Sequence, residues 1–157
     1  MENHRIEKLN ATFKDYSLEQ AFEKLVTLGL SKMSFSTSFG QDYQIIADVI
    51  FKNEYPIEVF TLDTGRLFEA TYKVFEDTQT KYQKKITTYF PERHAVESLI
   101  NEKGPYSFYD SVENRKECCE IRKVNPLQKA LKGVDLWITG IRASQSTDRN
   151  EIKIFGY

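Results

Sequence analysis

No apolar run in the 157 residues approaches the roughly 20 needed to cross a bilayer. The opening MENHRIEKLN is polar and charged where a secretion signal needs an apolar centre. Membrane insertion and export are therefore disfavoured, and a cytoplasmic location is expected. An excess of one charge is also missing: 22 basic residues stand against 23 acidic ones, for a net charge of -1. Such a balance gives no broad field for nucleic acid or an anionic membrane, so any anion site must be local. There are two histidines. His4 lies in the polar N-terminal arm and His94 follows Pro-Glu-Arg at a helix start, and both read as surface or capping residues. No Gly-Lys-Ser/Thr of a Walker loop occurs after a glycine-rich turn. Repeats, low-complexity tracts and linkers are absent, which leaves a single domain over 1–157 with 40% hydrophobic and 29% charged residues.

What is present is an alternation of strand and helix signals. Ser17 and Gln20 have capping-box form ahead of Leu18, Ala21, Phe22, Leu25 and Val26, and Gly29 closes that helix. MSFSTSFG reads as a short apolar strand that turns into a loop of small and hydroxyl residues, and Asp42 opens a helix with Ile45, Ile46, Val49 and Ile50 on one face. IEVFTLD is a second strand. Residues 67–82 form a longer helix carrying Thr71, Val74, Phe75 and Thr78 on one face, and KITTYF is a third strand. HAVESLINEKG is a short helix ending at Gly104. Ser111 caps a helix that runs through the cysteines to about Val124, and Asn125-Pro126 starts another. DLWITGI is a fourth strand, while Ile152, Ile154, Phe155 and Tyr157 look like a strand just begun. This order predicts an α/β fold, an open and mainly parallel sheet with helices on both faces.

Ligands in such sheets bind outside the carboxyl ends of the strands where strand order reverses. Three turns fall there. Ser36, Thr37, Ser38, Gly40 and Asp42 place hydroxyls, a glycine and a helix N-terminus together, a combination suited to a phosphate. Alone, such a turn is more often only a helix cap. Asp63, Thr64 and Gly65 end the second strand; the aspartate could accept from a ribose hydroxyl or an adenine amino group, or simply form a tight turn. After the fourth strand, Arg142, Gln145 and Arg149 offer donors for a second anion, although exposed arginines are commonly only solvated. Three such turns around one crevice suggest a nucleotide site.

The only cysteines, Cys118 and Cys119, are adjacent within RKECCEIRK. Their Cα atoms are about 3.8 Å apart across a trans peptide, below the roughly 4.4–6.8 Å of ordinary disulfides. A vicinal disulfide would be strained and easily reduced, which disfavours a structural staple and leaves metal binding, redox work or inert packing. Arg115, Lys116, Arg122 and Lys123 flank the pair, and positive charge favours thiolates, the metal-binding form.

The stretches SFSTSFGQD, TLDTGRLFEATY, RKECCEIRKVNPLQKAL and WITGIRASQS, in this order from Met33 to Arg149, resemble the sulfonucleotide reductases. That family reduces adenylyl sulfate (APS), or its 3′-phosphorylated form (PAPS), to sulfite during sulfate assimilation. The resemblance implies a PP-loop fold of the adenine-nucleotide alpha-hydrolase-like type. It departs at Ala143, where family members often carry a second arginine. The branch with adjacent cysteines uses them, with a further Cys-x-x-Cys, to hold a 4Fe-4S cluster, and prefers adenylyl sulfate. By this resemblance Cys118 and Cys119 are two of four cluster ligands, and Lys123 is a catalytic cation lying between cluster and substrate. The resemblance also implies thioredoxin or a similar thiol donor as partner.

Two of the four cluster ligands are missing, and so is the family's nucleophile, a cysteine in a C-terminal Glu-Cys-Gly motif that attacks the sulfate sulfur to give S-sulfocysteine and AMP. The expectation is a chain incomplete at its C-terminus, the nucleotide-binding portion of a longer reductase. Two chains sharing a site across a two-fold axis are allowed by symmetry but favoured by no residue. Two other readings compete: an inactive adenine-nucleotide-binding fragment, and an ATP-using PP-loop enzyme. The latter class shows Ser-x-Gly-x-Asp-Ser, which Ser38-Phe39-Gly40-Gln41-Asp42-Tyr43 fits except at Tyr43.

Overall fold

Residues buried on both sides of a strand belong in the middle of a parallel sheet, and Met33, Ser34 and Phe35 are all buried. In the computed structural model, which describes residues 2–142 and 152–156, these residues lie in β1 (Met33–Ser36), an inner strand. It is flanked by β2 (Ile57–Leu62) and β4 (Leu136–Ile138), and β3 (Thr87–Tyr89) pairs with the outer side of β2. The order is β3-β2-β1-β4 and every pairing is parallel, with Phe35 opposite both Val59 and Ile138. Chain order therefore reverses between β1 and β4, and the turns after β1, β2 and β4 leave from neighbouring strand ends.

The helices follow from local signals. Seven are present among the described residues: α1 (Glu2–Phe13), α2 (Leu18–Leu25), α3 (Gln41–Lys52), α4 (Glu69–Tyr82), α5 (Arg93–Lys103), α6 (Val112–Cys119) and α7 (Asn125–Ala130). The capping box forms as expected: the Ser17 hydroxyl accepts from the Gln20 N–H, and the Gln20 side chain accepts from the Ser17 N–H. The Ser111 hydroxyl likewise accepts from the Asn114 N–H at the start of α6. Phe22 of α2 and Ala47, Val49, Ile50 and Phe51 of α3 pack with Met33, Phe35, Ile57 and Val59 into one core. On β2 the neighbouring residue Phe60 points the other way. It meets Tyr89 edge-on, and α7 packs against β2 and β3.

Several expectations are corrected. The polar N-terminal arm is helix α1, with little apolar stripe to reveal it; Phe13 is its buried anchor. Ile45 is 58% exposed and so lies off the buried face of α3, and Val74 turns outward from α4. Residues 152–156 form no strand. Their backbone is instead held by Asn10, whose amide donates to the Phe155 carbonyl and accepts from its N–H, both at 2.9 Å, while Phe13 meets the Phe155 ring edge-on at 4.9 Å.

The cysteine helix does not stop before Asn125-Pro126. Glu120, Val124 and Asn125 all keep right-handed helical angles, and α6 passes into α7 through a π-helical turn, Glu120–Val124. Asn125 is thus inside a continuous helix instead of capping a new one. Pro126 supplies the reason: it has no N–H to give, and its ring would crowd the carbonyl of Arg122 in a regular α-helix. Widening the preceding turn, with the Asn125 N–H reaching back to Glu120, relieves both faults.

Phe35→Ala is expected to destabilise the fold by about 3–5 kcal/mol, the usual cost of truncating a buried phenylalanine, and Ser17→Ala by about 1 kcal/mol. Urea unfolding of the two variants checks both the sizes and their order.

Candidate nucleotide site

The first site turn begins where β1 ends. Its extension continues the sheet, because the Thr37 N–H donates to the Phe60 carbonyl at 2.8 Å. The Thr37 hydroxyl then accepts from the Phe39 N–H at 3.1 Å, closing a tight turn. Phe39 adopts φ 63°, a left-handed conformation that costs a non-glycine residue roughly 1–2 kcal/mol. The turn directs its ring inward, where it is 7% exposed and stacks on Phe75 at 4.8 Å, while Ser38 and Gly40 face solvent. Gly40 caps α3 without a side-chain hydrogen bond. The N-terminus of a 12-residue helix thus follows directly on a turn of hydroxyl residues, an arrangement that favours an anion.

The second turn is fastened from several sides. The Asp63 carboxylate accepts from the Gly65 N–H and from the Tyr72 hydroxyl, both at 2.8 Å, and Asp63 is 6% exposed. Gly65 has φ 71°, and an added Cβ would lie 3.3 Å from Nη1 of Arg122. That same nitrogen donates to the Thr64 carbonyl at 2.7 Å. Arg66 lies over the rings of Tyr106 and Phe108, at 5.1 and 4.7 Å. The turn after β2 is thereby tied to the segment that bears the cysteines. Asp63 and Gly65 behave as the turn-forming alternative anticipated, since both oxygens of Asp63 already have internal donors.

Between these turns opens a cleft of about 270 Å³ lined by Ser36, Thr37, Ser38, Thr61, Thr64 and Lys123 among others. Of the expected residues, the structure thus gathers Ser36, Thr37, Ser38, Thr64 and Lys123 on one wall system. The Ser36 hydroxyl also accepts from the Trp137 indole at 2.9 Å, linking β4 to β1. Asp42 and Arg142 meet each other, with Nη2 of Arg142 2.9 Å from Oδ2 of Asp42. Gln145 and Arg149 lie outside the described residues. A second concavity, lined by Ile50, Tyr55, Ile57, Lys84 and Thr87, sits at the amino ends of β2 and β3. That is the wrong end of the sheet for a ligand in this architecture.

Cys118 is half-buried, Cys119 is exposed, and both are free thiols at the last turn of α6. Among the described residues no group of three or more His, Cys, Asp or Glu converges as a metal site. The pair fits half of a four-thiolate site and no more. Beside it, Arg122 is 7% exposed and its Nε has no partner among the described residues. Neither the burial of Arg122 nor the position of Tyr43, which also lines the cleft, was visible in the sequence. Arg122 read as one more basic flank of the cysteines, and Tyr43 only as a departure from a motif.

The hydrogen bond to Asp63, helped by partial burial and by the carboxylate charge, raises the Tyr72 pKa above its ordinary value. The neutral phenol is the donor, so its contribution to stability is complete below about pH 10, the ordinary tyrosine value. It disappears as the pH climbs through the raised folded value. Urea midpoints of the wild type and of Tyr72→Phe are expected to differ near neutrality and to converge at high pH; a gap that stays constant would contradict the assignment.

Comparison with known proteins agrees with this architecture. The phosphoadenosine phosphosulfate reductase domain matches residues 32–157. An adenosine 5′-phosphosulfate reductase of Sinorhizobium fredii (strain USDA 257) is 42% identical over 134 residues, covering 85% of this chain and 53% of that protein. One from Allochromatium vinosum is 39% identical over 123 residues, covering 78% and 48%. The chain spans about half the length of these curated relatives. Among solved structures, a phosphoadenylyl-sulfate reductase from Candida auris in a phosphate complex superimposes with a TM-score of 0.73 at 26% identity, covering 87% of this chain and 66% of that one. With the domain matching residues 32–157 and the fold shared with a solved reductase, the chain belongs to the phosphoadenosine phosphosulfate reductase domain family.

Proposed function

We propose that the chain is the nucleotide-binding portion of an adenylyl-sulfate reductase, which converts adenylyl sulfate to AMP and sulfite with electrons from a thioredoxin-type thiol donor in the cytoplasm. The observation that carries this reading is the convergence of the Ser36, Thr37 and Ser38 turn, the Thr64 turn and Lys123 on one cleft at the carboxyl ends of β1 and β2. Hydroxyls and helix N–H groups at residues 36–42 receive the phosphate, and Asp63, Thr64 and Gly65 shape the flank for the nucleoside. Lys123 balances the charge of the phosphosulfate from the cleft, while Arg142 is already paired with Asp42 on the β4 side.

Cys118 and Cys119, the two cysteines of the chain, are proposed to supply two of the four thiolates that a 4Fe-4S cluster takes. When bound, such a cluster would supply a charged, polarisable centre held by these thiolates. Lys123 follows the pair within the π-helical turn and also lines the cleft, so one ammonium can face both. The nucleophilic thiol that takes the sulfonyl group is likewise absent from this chain. By itself the chain therefore binds and orients the nucleotide but does not turn over.

Calorimetric titration with AMP and adenylyl sulfate tests the nucleotide reading. Binding is expected, and Lys123→Ala should weaken it about tenfold or more, in line with the roughly 1.5–3 kcal/mol of a charge-assisted hydrogen bond; undiminished binding by the variant would remove Lys123 from the site. Iron content of the full-length reductase tests the cysteines. Cys118→Ser and Cys119→Ser are each expected to lower it, and iron unchanged in both would end the cluster assignment.

A further inference from the structure

The strand order reverses between β1 and β4, so the general rule puts the phosphate crevice of this fold between the turns that follow those two strands. In this chain that crevice is filled. The Tyr43 ring lies against both turns: Cδ2 is 3.7 Å from the Cβ position of Gly40, and three ring carbons are 3.1 Å from that of Gly140. Such a distance is tighter than nine in ten real Cβ contacts, so a side chain at Gly140 would require the ring to shift by a few tenths of an ångström. Beneath, the ring stacks on Phe35 at 6.1 Å and 26°. Phe35 is 0% exposed and belongs to the core cluster, so the ring has no space to sink into. Beside it the Asp42–Arg142 ion pair, 2.9 Å long, joins the same two turns and adds a carboxylate to the path. The opening that remains is the cleft on the β1 and β2 side, with hydroxyls on its wall and Lys123 at its edge.

We propose that Tyr43, wedged between Gly40 and Gly140, is a specificity-determining residue that confines the site to nucleotides with a short anionic end, such as a monophosphate or a phosphosulfate, and rejects nucleoside triphosphates. A chain of three phosphates running from the cleft toward β4 meets the ring and then the Asp42 carboxylate. A single phosphoryl group with one further anionic unit stays on the β1 and β2 side. Serine at this position, as in the ATP-using motif, would leave the crevice open. The inference rests on the nucleotide reading above and adds to it a residue that selects by length.

The test is calorimetric titration of the chain with AMP and with ATP, in the wild type and in Tyr43→Ser, Tyr43→Leu and Tyr43→Phe. The wild type is expected to bind ATP at least about tenfold more weakly than AMP. Tyr43→Ser should reduce that ratio about tenfold, and Tyr43→Leu, which keeps apolar packing on Phe35, should reduce it in a chain with its core intact. Tyr43→Phe should retain the wild-type ratio, because the ring and not the hydroxyl is the wedge. AMP binding with the same ratio in wild type, serine and leucine variants would overturn the wedge alone. Absence of AMP binding to the wild type would overturn the nucleotide reading and the selectivity with it. A thermal cycle reads the wedge without any nucleotide: Gly140→Ala should lower the melting temperature in the wild type and have little effect in Tyr43→Ser. Equal losses in both backgrounds would show that the ring does not set the space at Gly140.

Discussion

The hydrogen bond from the Arg122 guanidinium to the Thr64 carbonyl is the contact on which the site depends. It crosses from the helical segment carrying Cys118 and Cys119 to the turn that follows β2, and Arg122 is buried as it does so. A buried guanidinium is costly unless its donors find acceptors, and here Nη1 has the Thr64 carbonyl while Nε has none among the described residues. That requirement fixes the distance between helix and turn, and with it the entry of Lys123 into the cleft. Gly65 belongs to the same constraint, since any side chain there would meet the guanidinium. The stacking of Arg66 on Tyr106 and Phe108 holds the other side of the turn. Two arginines, neither of them aimed at the cleft, thus set its geometry.

Around this fixed point the sheet does the rest. Parallel strands present all their carboxyl ends on one edge, so turns far apart in sequence become neighbours without any direct attraction between them. The left-handed backbone of Phe39 is the local cost of the first turn. It is offset by burying the ring on Phe75, and it leaves Ser38 and Gly40 outward. Strain of this kind collects at functional turns because the packing around them over-determines the backbone.

What could be read from the sequence was what is decided locally. The capping box at Ser17, the cap at Ser111 and the glycine at Gly104 all rest on a few neighbouring residues. The parallel pairing followed from alternation alone, whereas the strand order did not. Ile45 and Val74 were misplaced because an apolar side chain on a partly covered helix need not face the core. Helix α1 went unseen because its anchors, Asn10 and Phe13, hold a segment at the other end of the chain. The cysteine pair was noticed for its adjacency, but its meaning came from family likeness and not from physics. Arg122 and Tyr43 were beyond reach for a common reason: each takes its role from a turn that only folding brings near it.

The π-helical turn before Pro126 carries a geometric consequence for the cysteines. A regular α-helix advances by about 100° per residue, so one extra residue accommodated in a single turn rotates everything before it, relative to everything after it, by about that angle. Helix α7 is docked on β2 and β3, and it serves as the fixed end of the shaft. The azimuth at which Cys118 and Cys119 leave the helix is therefore set downstream, by the backbone defect that a proline imposes. In mechanical terms the proline is an indexing pin, choosing which side of the shaft the two thiols face.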